Sequence, residues 1–216
     1  MPPSPSAETP LVVKLGGSLA ASPALRQWLA ALRRYPGPLA IVPGGGPFAD
    51  AVRSAQEALR FSDAAAHDMA IMAMEQYGRA LCDLEPGLRP AATPREATAA
   101  HAQGAIAVWS PVAMTRADPQ IPASWDMTSD SLAAWYAHAA GARALLLIKS
   151  VDFPPSPEGE GGGAASIVDP CFAHYARGLD VFIAGPAALR EAPETFARGG
   201  LPGARFDFTR EQSIAS

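Results

Sequence analysis

The sequence predicts an α/β fold, a three-layer αβα sandwich with a mostly parallel central sheet, and three observations carry that expectation. Short apolar runs (Leu11-Val12-Val13-Lys14-Leu15, Leu39 to Val42, Ala144 to Ile148, Val181 to Ala184) alternate with amphipathic stretches along the chain. Strands that alternate with helices need crossover connections, which make a parallel sheet covered on both faces. Two of the runs end in glycine clusters, Gly16-Gly17-Ser18 and Gly44-Gly45-Gly46, each opening a helix. Finally, 216 residues with 49% apolar and 18% charged content suit one core. Residues 11–216 therefore read as a single domain behind a flexible Pro/Ser-rich tail, residues 1–10.

Taken in order, the first run brings Lys14 to a strand end. Gly16 and Gly17 lack the Cβ that would keep an anion off the backbone. Ser18 is placed to cap the helix that follows. Leu25, Trp28, Leu29 and Leu32 recur at helical spacing between Pro23 and Arg34, and Pro36-Gly37-Pro38 stops that helix. The run from Leu39 to Val42 leads into the triple glycine, after which Phe48, Ala51, Val52 and Ala55 resume the helical period. Ser62 reads as the N-cap of a long helix from Asp63 to Cys82, striped by Ala64, His67, Ile71, Met74 and Gly78. Then come a short segment from Leu88 to Ala92, a helix after Pro94, a strand from Ala105 to Val108 and a short strand from Val112 to Met114. A polar loop, Arg116 to Trp125, precedes Thr128-Ser129-Asp130-Ser131, which opens a helix from Leu132 to Ala140 closed by Gly141. After the strand from Ala144 to Ile148, a Pro/Glu/Gly-rich stretch from Pro154 to Ala165 has no core-forming capacity. A helix around Pro170 to Arg177, the strand from Val181 to Ala184, a helix from Gly185-Pro186 to near Gly199 and a last strand from Ala204 to Phe208 complete the pattern.

Composition excludes several classes. A net charge of −4 and a pI near 5.5 argue against nucleic-acid and membrane-surface partners. No apolar run reaches membrane-spanning length, and the N-terminus lacks the apolar centre of a signal peptide. Cys82 and Cys171 match no metal or redox spacing, which reads as reduced thiols in a cytoplasmic protein. No metal site is expected from the residues. Of 17 basic residues only two, Lys14 and Lys149, are lysines, and each ends an apolar run. Either both are solvated strand ends, or both positions want a compact ammonium rather than a planar fork.

Lys14 and two strand-to-helix glycine turns, one helix apart, suggest two phosphate-sized anions held side by side. The turns are neither a Walker A loop, since no GxxxxGKS/T occurs, nor a GxGxxG fingerprint. Ser124 to Asp130 packs two carboxylates and three hydroxyls beside Trp125. Thr128 or Ser129 as helix cap, with Asp130 complementing the helix dipole, explains part of this. It does not explain Trp125 and Asp126. His67 is either a satisfied core histidine or a group that reaches a ligand. Asp50 either faces a substrate amine or solvates its helix. Met69, Met72 and Met74 read as core or as a subunit contact.

The segments VVKLGGS and IVPGGGPFADAVR resemble the amino acid kinase superfamily, which includes acetylglutamate, carbamate, uridylate and isopentenyl phosphate kinases. AHDMAIMAMEQYG, SWDMTSDSLAAW and LLLIKSVD narrow the likeness to the branch of the aminomethylfuran-methyl phosphate kinases of methanofuran biosynthesis and their methylotroph relatives. The likeness runs from Leu11 to about Asp180. It implies transfer of the γ-phosphoryl group from ATP, with Mg2+, to a small acceptor, most concretely an acceptor phosphate. It implies Lys14, Asp130 and Lys149 as catalytic groups, with the aspartate orienting the lysines. Gly16, Gly17, Ser18, Lys149, Asp152, Phe153 and Gly185 would meet the nucleotide. Gly44, Gly45, Gly46, Asp50, His67, Trp125, Asp126, Thr128 and Ser129 would meet the acceptor. Phe153 stands where the family often has glycine after the Asp152 position. A homo-oligomer is expected from the same likeness. The alternatives are a kinase for an amino acid, carbamate or isoprenoid phosphate, and a non-catalytic nucleotide- or oxyanion-binding protein like the molybdenum storage proteins.

Overall fold

A computed structural model of the chain describes residues 9–152 and 167–206. Residues 1–8 of the expected tail, Phe153, the Pro154-to-Ala165 stretch and Asp207-Phe208 lie outside the described residues. In chain order the elements are β1 (Leu11–Leu15), α1 (Ala24–Leu32), β2 (Leu39–Pro43), α2 (Gly46–Leu59), α3 (Asp63–Leu84), β3 (Leu88–Ala91), α4 (Pro94–Ala102), β4 (Ile106–Trp109), α5 (Val112–Ala117), α6 (Ser129–Ala139), β5 (Ala144–Ile148), α7 (Phe172–Tyr175), β6 (Asp180–Ala184), α8 (Ala192–Ala197) and β7 (Ala204–Phe206). The strands form one sheet in the order β3-β4-β2-β1-β5-β6-β7. Every pairing is parallel except that of β6 with the edge strand β7.

The side-chain period of a strand decides what each face carries. Leu11, Val13 and Leu15 bury into the layer formed with Trp28 and Leu29 of α1 and Phe196 of α8. Val12 enters the opposite layer, with Ala97 of α4 and Leu132 and Tyr136 of α6. Lys14 has the parity of Val12, so β1 presents its ammonium to the α6 side. Its register neighbours are Val42 in β2 and Leu147 in β5. Strand order reverses at β1, with β2 on one side and the later β5 on the other. Such a reversal opens a crevice beyond the carboxyl ends of the strands, where ligands of this fold class sit.

The two glycine turns meet in that crevice backbone to backbone. A Cβ on Gly44 would lie 2.4 Å from the Gly17 nitrogen, and one on Gly17 would lie 2.3 Å from the Gly46 nitrogen. The Gly44 N–H donates to the Leu15 carbonyl at 2.9 Å, and Gly16 donates to the Ile148 carbonyl at 3.0 Å. Those two amides therefore stitch the turns to the sheet and are not free donors. No hydrogen bond among the described residues uses the amides of Gly17, Ser18, Gly45 or Gly46.

Several local expectations are corrected. Ser18 caps no helix: it lies inside a short 3-10 turn, Gly17–Ala21, whose N-cap is Gly16. Its hydroxyl donates instead to Ser150 Oγ at 2.8 Å. Val112 to Met114 is helical, as the start of α5, because Pro111 sets a helical φ at the N-cap and Glu75 Oε1 accepts the Val112 N–H at 2.9 Å. The expected helix from Gly185 to Gly199 is two pieces, a 3-10 turn over Pro186–Arg190 and then α8. Pro193 has no N–H to donate back into a continuous helix and its ring would clash with the preceding turn. The helix around Pro170 to Arg177 shortens to α7.

These contacts predict a contrast between two glycines. Gly44→Ala should lose about 2 kcal/mol or more of unfolding free energy, since only backbone could yield. Gly104→Ala, at φ +72° with nothing within 4 Å of an added Cβ, should lose about 1 kcal/mol. Urea denaturation of both variants checks the order; equal losses would contradict the packed glycine turns.

Candidate active site

At the crevice the two lysines and Asp130 converge. β1 carries Lys14, the first turn of α6 carries Asp130, and Lys149 follows the last residue of β5. Lys14 Nζ lies 2.9 Å from Asp130 Oδ1 as an ion pair, and Lys149 Nζ donates to Asp130 Oδ2 at 2.6 Å. Lys149 Nζ also donates to the Ile167 carbonyl at 2.8 Å. Lys14 is 6% exposed and Asp130 5%, so water does not solvate these charges. Burial works hardest against the Asp130 carboxylate, but Lys14 and Lys149 together outweigh it and hold the carboxyl below its usual range. Burial and then repulsion from Lys14 pull Lys149 down to about 8, with Asp130 and Asp169 resisting. The helix N-terminus adds its own preference for a carboxylate at Asp130.

The α6 terminus is not capped by its own hydroxyls, contrary to the reading of Thr128 or Ser129 as cap. Asp169, from beyond β5, does it. Its Oδ2 accepts the Thr128 N–H at 2.9 Å, the Thr128 hydroxyl at 2.8 Å and the Ser131 N–H at 3.0 Å, and its Oδ1 accepts the Ser131 hydroxyl. Sequence reasoning missed Asp169. The signal was an Asp-Pro pair opening a helix, 38 residues from Ser131.

Beside the triple glycine is a small pocket of about 50 Å³, lined among others by Gly45, Arg53, His67, Trp125, Thr128 and Ser129. His67 is buried, and its Nε2 has no hydrogen-bond partner among the described residues. Burial lowers its pKa, against the opposing pulls of the Met127 backbone and Asp68, which favours neutral imidazole. Trp125 Nε1 donates to Gln56 Oε1 at 2.9 Å, Gln56 donates to Asp63 at 2.7 Å, and the Arg53 guanidinium lies 4.5 Å over the indole. This ties the loop before α6 onto α2.

Other expected site residues fall outside this grouping. Asp50 pairs with Arg53 at 3.0 Å on an exposed face of α2, and the Asp126 side chain is exposed. At the β5 exit, Asp152 Oδ1 accepts the Ala187 N–H at 2.8 Å. Gly185 is needed there by close approach, since a Cβ would lie 2.5 Å from Asp152 Oδ1 and from the Val151 carbonyl. Phe153, beside them in sequence, lies outside the described residues. A larger cavity of about 680 Å³ opens at the other end of the sheet, by Leu39, Ile106 and His101, away from the lysines. Among the described residues no group of three His, Cys, Asp or Glu could hold a metal, and no helix is long and apolar enough to cross a membrane.

Known proteins resemble this chain in sequence and in fold. The model of the amino acid kinase family matches residues 9–153. The [5-(aminomethyl)furan-3-yl]methyl phosphate kinase of Methanocaldococcus jannaschii is 28% identical over 143 residues, covering 65% of this chain and 66% of that protein. The chain thus spans just under two thirds of that curated relative. Among solved structures, uridylate kinase from Archaeoglobus fulgidus superposes with a TM-score of 0.66 at 17% identity, over 91% of this chain and 99% of that one. UMP kinase from Bacillus anthracis gives 0.65 at 14% identity, over 91% and 95%. At these identities the structures speak for the fold.

Asp130→Asn would leave the buried ammonium of Lys14 and the partly buried one of Lys149 without their carboxylate. At pH 6 the variant should lose about 3–5 kcal/mol of stability. The loss should shrink above pH 8, where Lys149 can shed its proton in the fold. Denaturant titrations at both pH values check this; a loss independent of pH would contradict charge as its cause.

Proposed function

The chain belongs to the amino acid kinase family, and from that membership we propose that it transfers the γ-phosphoryl group of ATP to a small acceptor, in the first instance the phosphate of an aminomethylfuran-methyl phosphate. One observation supports this above the rest: the Lys14–Asp130–Lys149 cluster stands beside two facing glycine turns at the shared carboxyl ends of β1, β2 and β5. Phosphoryl transfer asks a protein chiefly for positioning and charge neutralisation. The two ammonium groups would take the non-bridging oxygens of the transferring group, in a site where a fixed charge needs no rearrangement as the reaction proceeds. Asp130 would hold the two ammonium groups in place despite their repulsion.

The free amides of Gly17 and Ser18 would serve the nucleotide side, and those of Gly45 and Gly46 the acceptor side. A phosphate acceptor attacks with an oxygen that is already ionised. Its bond to the γ-phosphorus forms as the bond to the β-bridging oxygen breaks, and ADP leaves with that electron pair. The pocket beneath Trp125, with neutral His67, would receive the rest of the acceptor. Magnesium would shield nucleotide oxygens; since both Asp130 oxygens face ammonium groups, that carboxylate fits the role of lysine orienter rather than metal ligand.

ADP release from Mg-ATP, measured with the aminomethylfuran-methyl phosphate, UMP, carbamate and an isoprenoid phosphate in turn, tests the proposal. Acceptor-dependent release is expected, and Lys14→Ala should cut it by about a hundredfold or more while the protein stays folded. Unchanged turnover in that variant would contradict the mechanism. The pH profile gives a second check. Lys149 is the ammonium form below about 8 and loses its proton above it, so kcat/KM should fall on the alkaline side with a midpoint near there. Lys149→Arg, which stays charged, should lose that alkaline limb.

A further inference from the structure

We propose that Asp169 is a positioning residue of the site, which sets the place of Asp130 from a segment that also holds Lys149 through the Ile167 carbonyl. Two sets of contacts support this. The first is the four-fold acceptance from Thr128 and Ser131, which flank Asp130 on either side at the start of α6. Anchoring Thr128 and Ser131 holds the backbone of the first turn of α6, from which Asp130 reaches Lys14 and Lys149. Ser131 is fully buried, so no water can replace the carboxylate there.

The second set comes from the same segment two residues earlier. The Ile167 carbonyl accepts a hydrogen bond from Lys149, which also donates to Asp130. Cys171, two residues later, donates its N–H to the Asp126 carbonyl at 3.1 Å. Residues 167–171 therefore grip the loop before α6, the first turn of α6 and Lys149 at once. The charged groups that face Lys149 are Lys14 from β1, Asp130 from α6 and Asp169 from this segment. Lys14 disfavours the ammonium form, and the two carboxylates favour it. Removing the Asp169 charge while keeping its shape should thus ease deprotonation of Lys149. A helix cap alone would not.

The chain's lysine content makes this measurable without turnover. With only Lys14 and Lys149 present, ε-13C-lysine labelling gives two resonances, and the spectrum of Lys14→Arg assigns them. Asp169→Asn keeps the size of the side chain and an acceptor oxygen for the helix N–H groups. In this variant Lys149 should titrate at lower pH than in the wild type. Ser131→Ala, which removes a cap bond and keeps the carboxylate, should leave the Lys149 titration where it was.

The kinetic arm rests on the phosphotransfer reading. Asp169→Asn should lower kcat by about tenfold to a hundredfold with a smaller change in KM. Its alkaline limb should move to lower pH together with the lysine titration. An unchanged Lys149 titration in Asp169→Asn overturns the proposal and leaves Asp169 as a helix cap. Absence of turnover in the wild type would overturn the phosphotransfer reading instead, and the lysine titration would still decide the role of Asp169.

Discussion

Lys14 and Lys149 place two ammonium groups against a single buried carboxylate, Asp130, and the surrounding fold is arranged so that this is tolerable. Two like charges in a poorly solvated place repel strongly, and removing either from water is costly. The structure offsets this with a carboxylate that reaches both, a helix N-terminus behind that carboxylate, a backbone carbonyl for Lys149 and a second carboxylate bonded to the same helical turn. The offset is incomplete, since Lys149 still holds its proton less tightly than an ordinary lysine. That residual imbalance suits a site whose ligand brings negative charge.

Much of this was legible in the sequence, and the legible parts share a cause. Lys14, Lys149 and both glycine turns are local features, each set by an apolar run and the few residues after it. Strand alternation then places Lys14 on the face opposite Leu11 and Val13 without any knowledge of its partner. Asp130 read from the residues alone as a carboxylate complementing the dipole of its helix, and only the family resemblance implied its place between the lysines.

What the sequence hid is long-range. The cap of α6 comes from Asp169, across a whole strand and a low-complexity stretch, so Thr128 and Ser129 looked like caps when Thr128, with Ser131, is itself a donor to a distant carboxylate. Ser18 likewise turns to Ser150 rather than to its own helix. Val112 to Met114 has strand-like composition, but Pro111 and the carboxylate of Glu75 make it helical. The expected role of Gly16 and Gly44 as anion donors failed to allow for the sheet, whose carbonyls take both amides. In each case a tertiary partner outranked the local preference.

On the proposed reading, the acceptor end is built differently from the phosphate end. Fixed backbone and buried charge make the one, whereas at the other Trp125, Gln56, Asp63 and Arg53 form a chain of side chains, and Trp125 and Arg53 line the same pocket as His67. Substrate choice within the family would then rest on the side chains and the chemistry on the backbone and lysines. The most direct measurement of that chemistry is phosphorus-31 NMR of the protein with Mg-ATP and the aminomethylfuran-methyl phosphate. A pair of coupled diphosphate signals, growing in step with ADP, is the predicted result. Inorganic phosphate as the only new product, with the acceptor signal unchanged, would contradict transfer to a phosphate acceptor at this site.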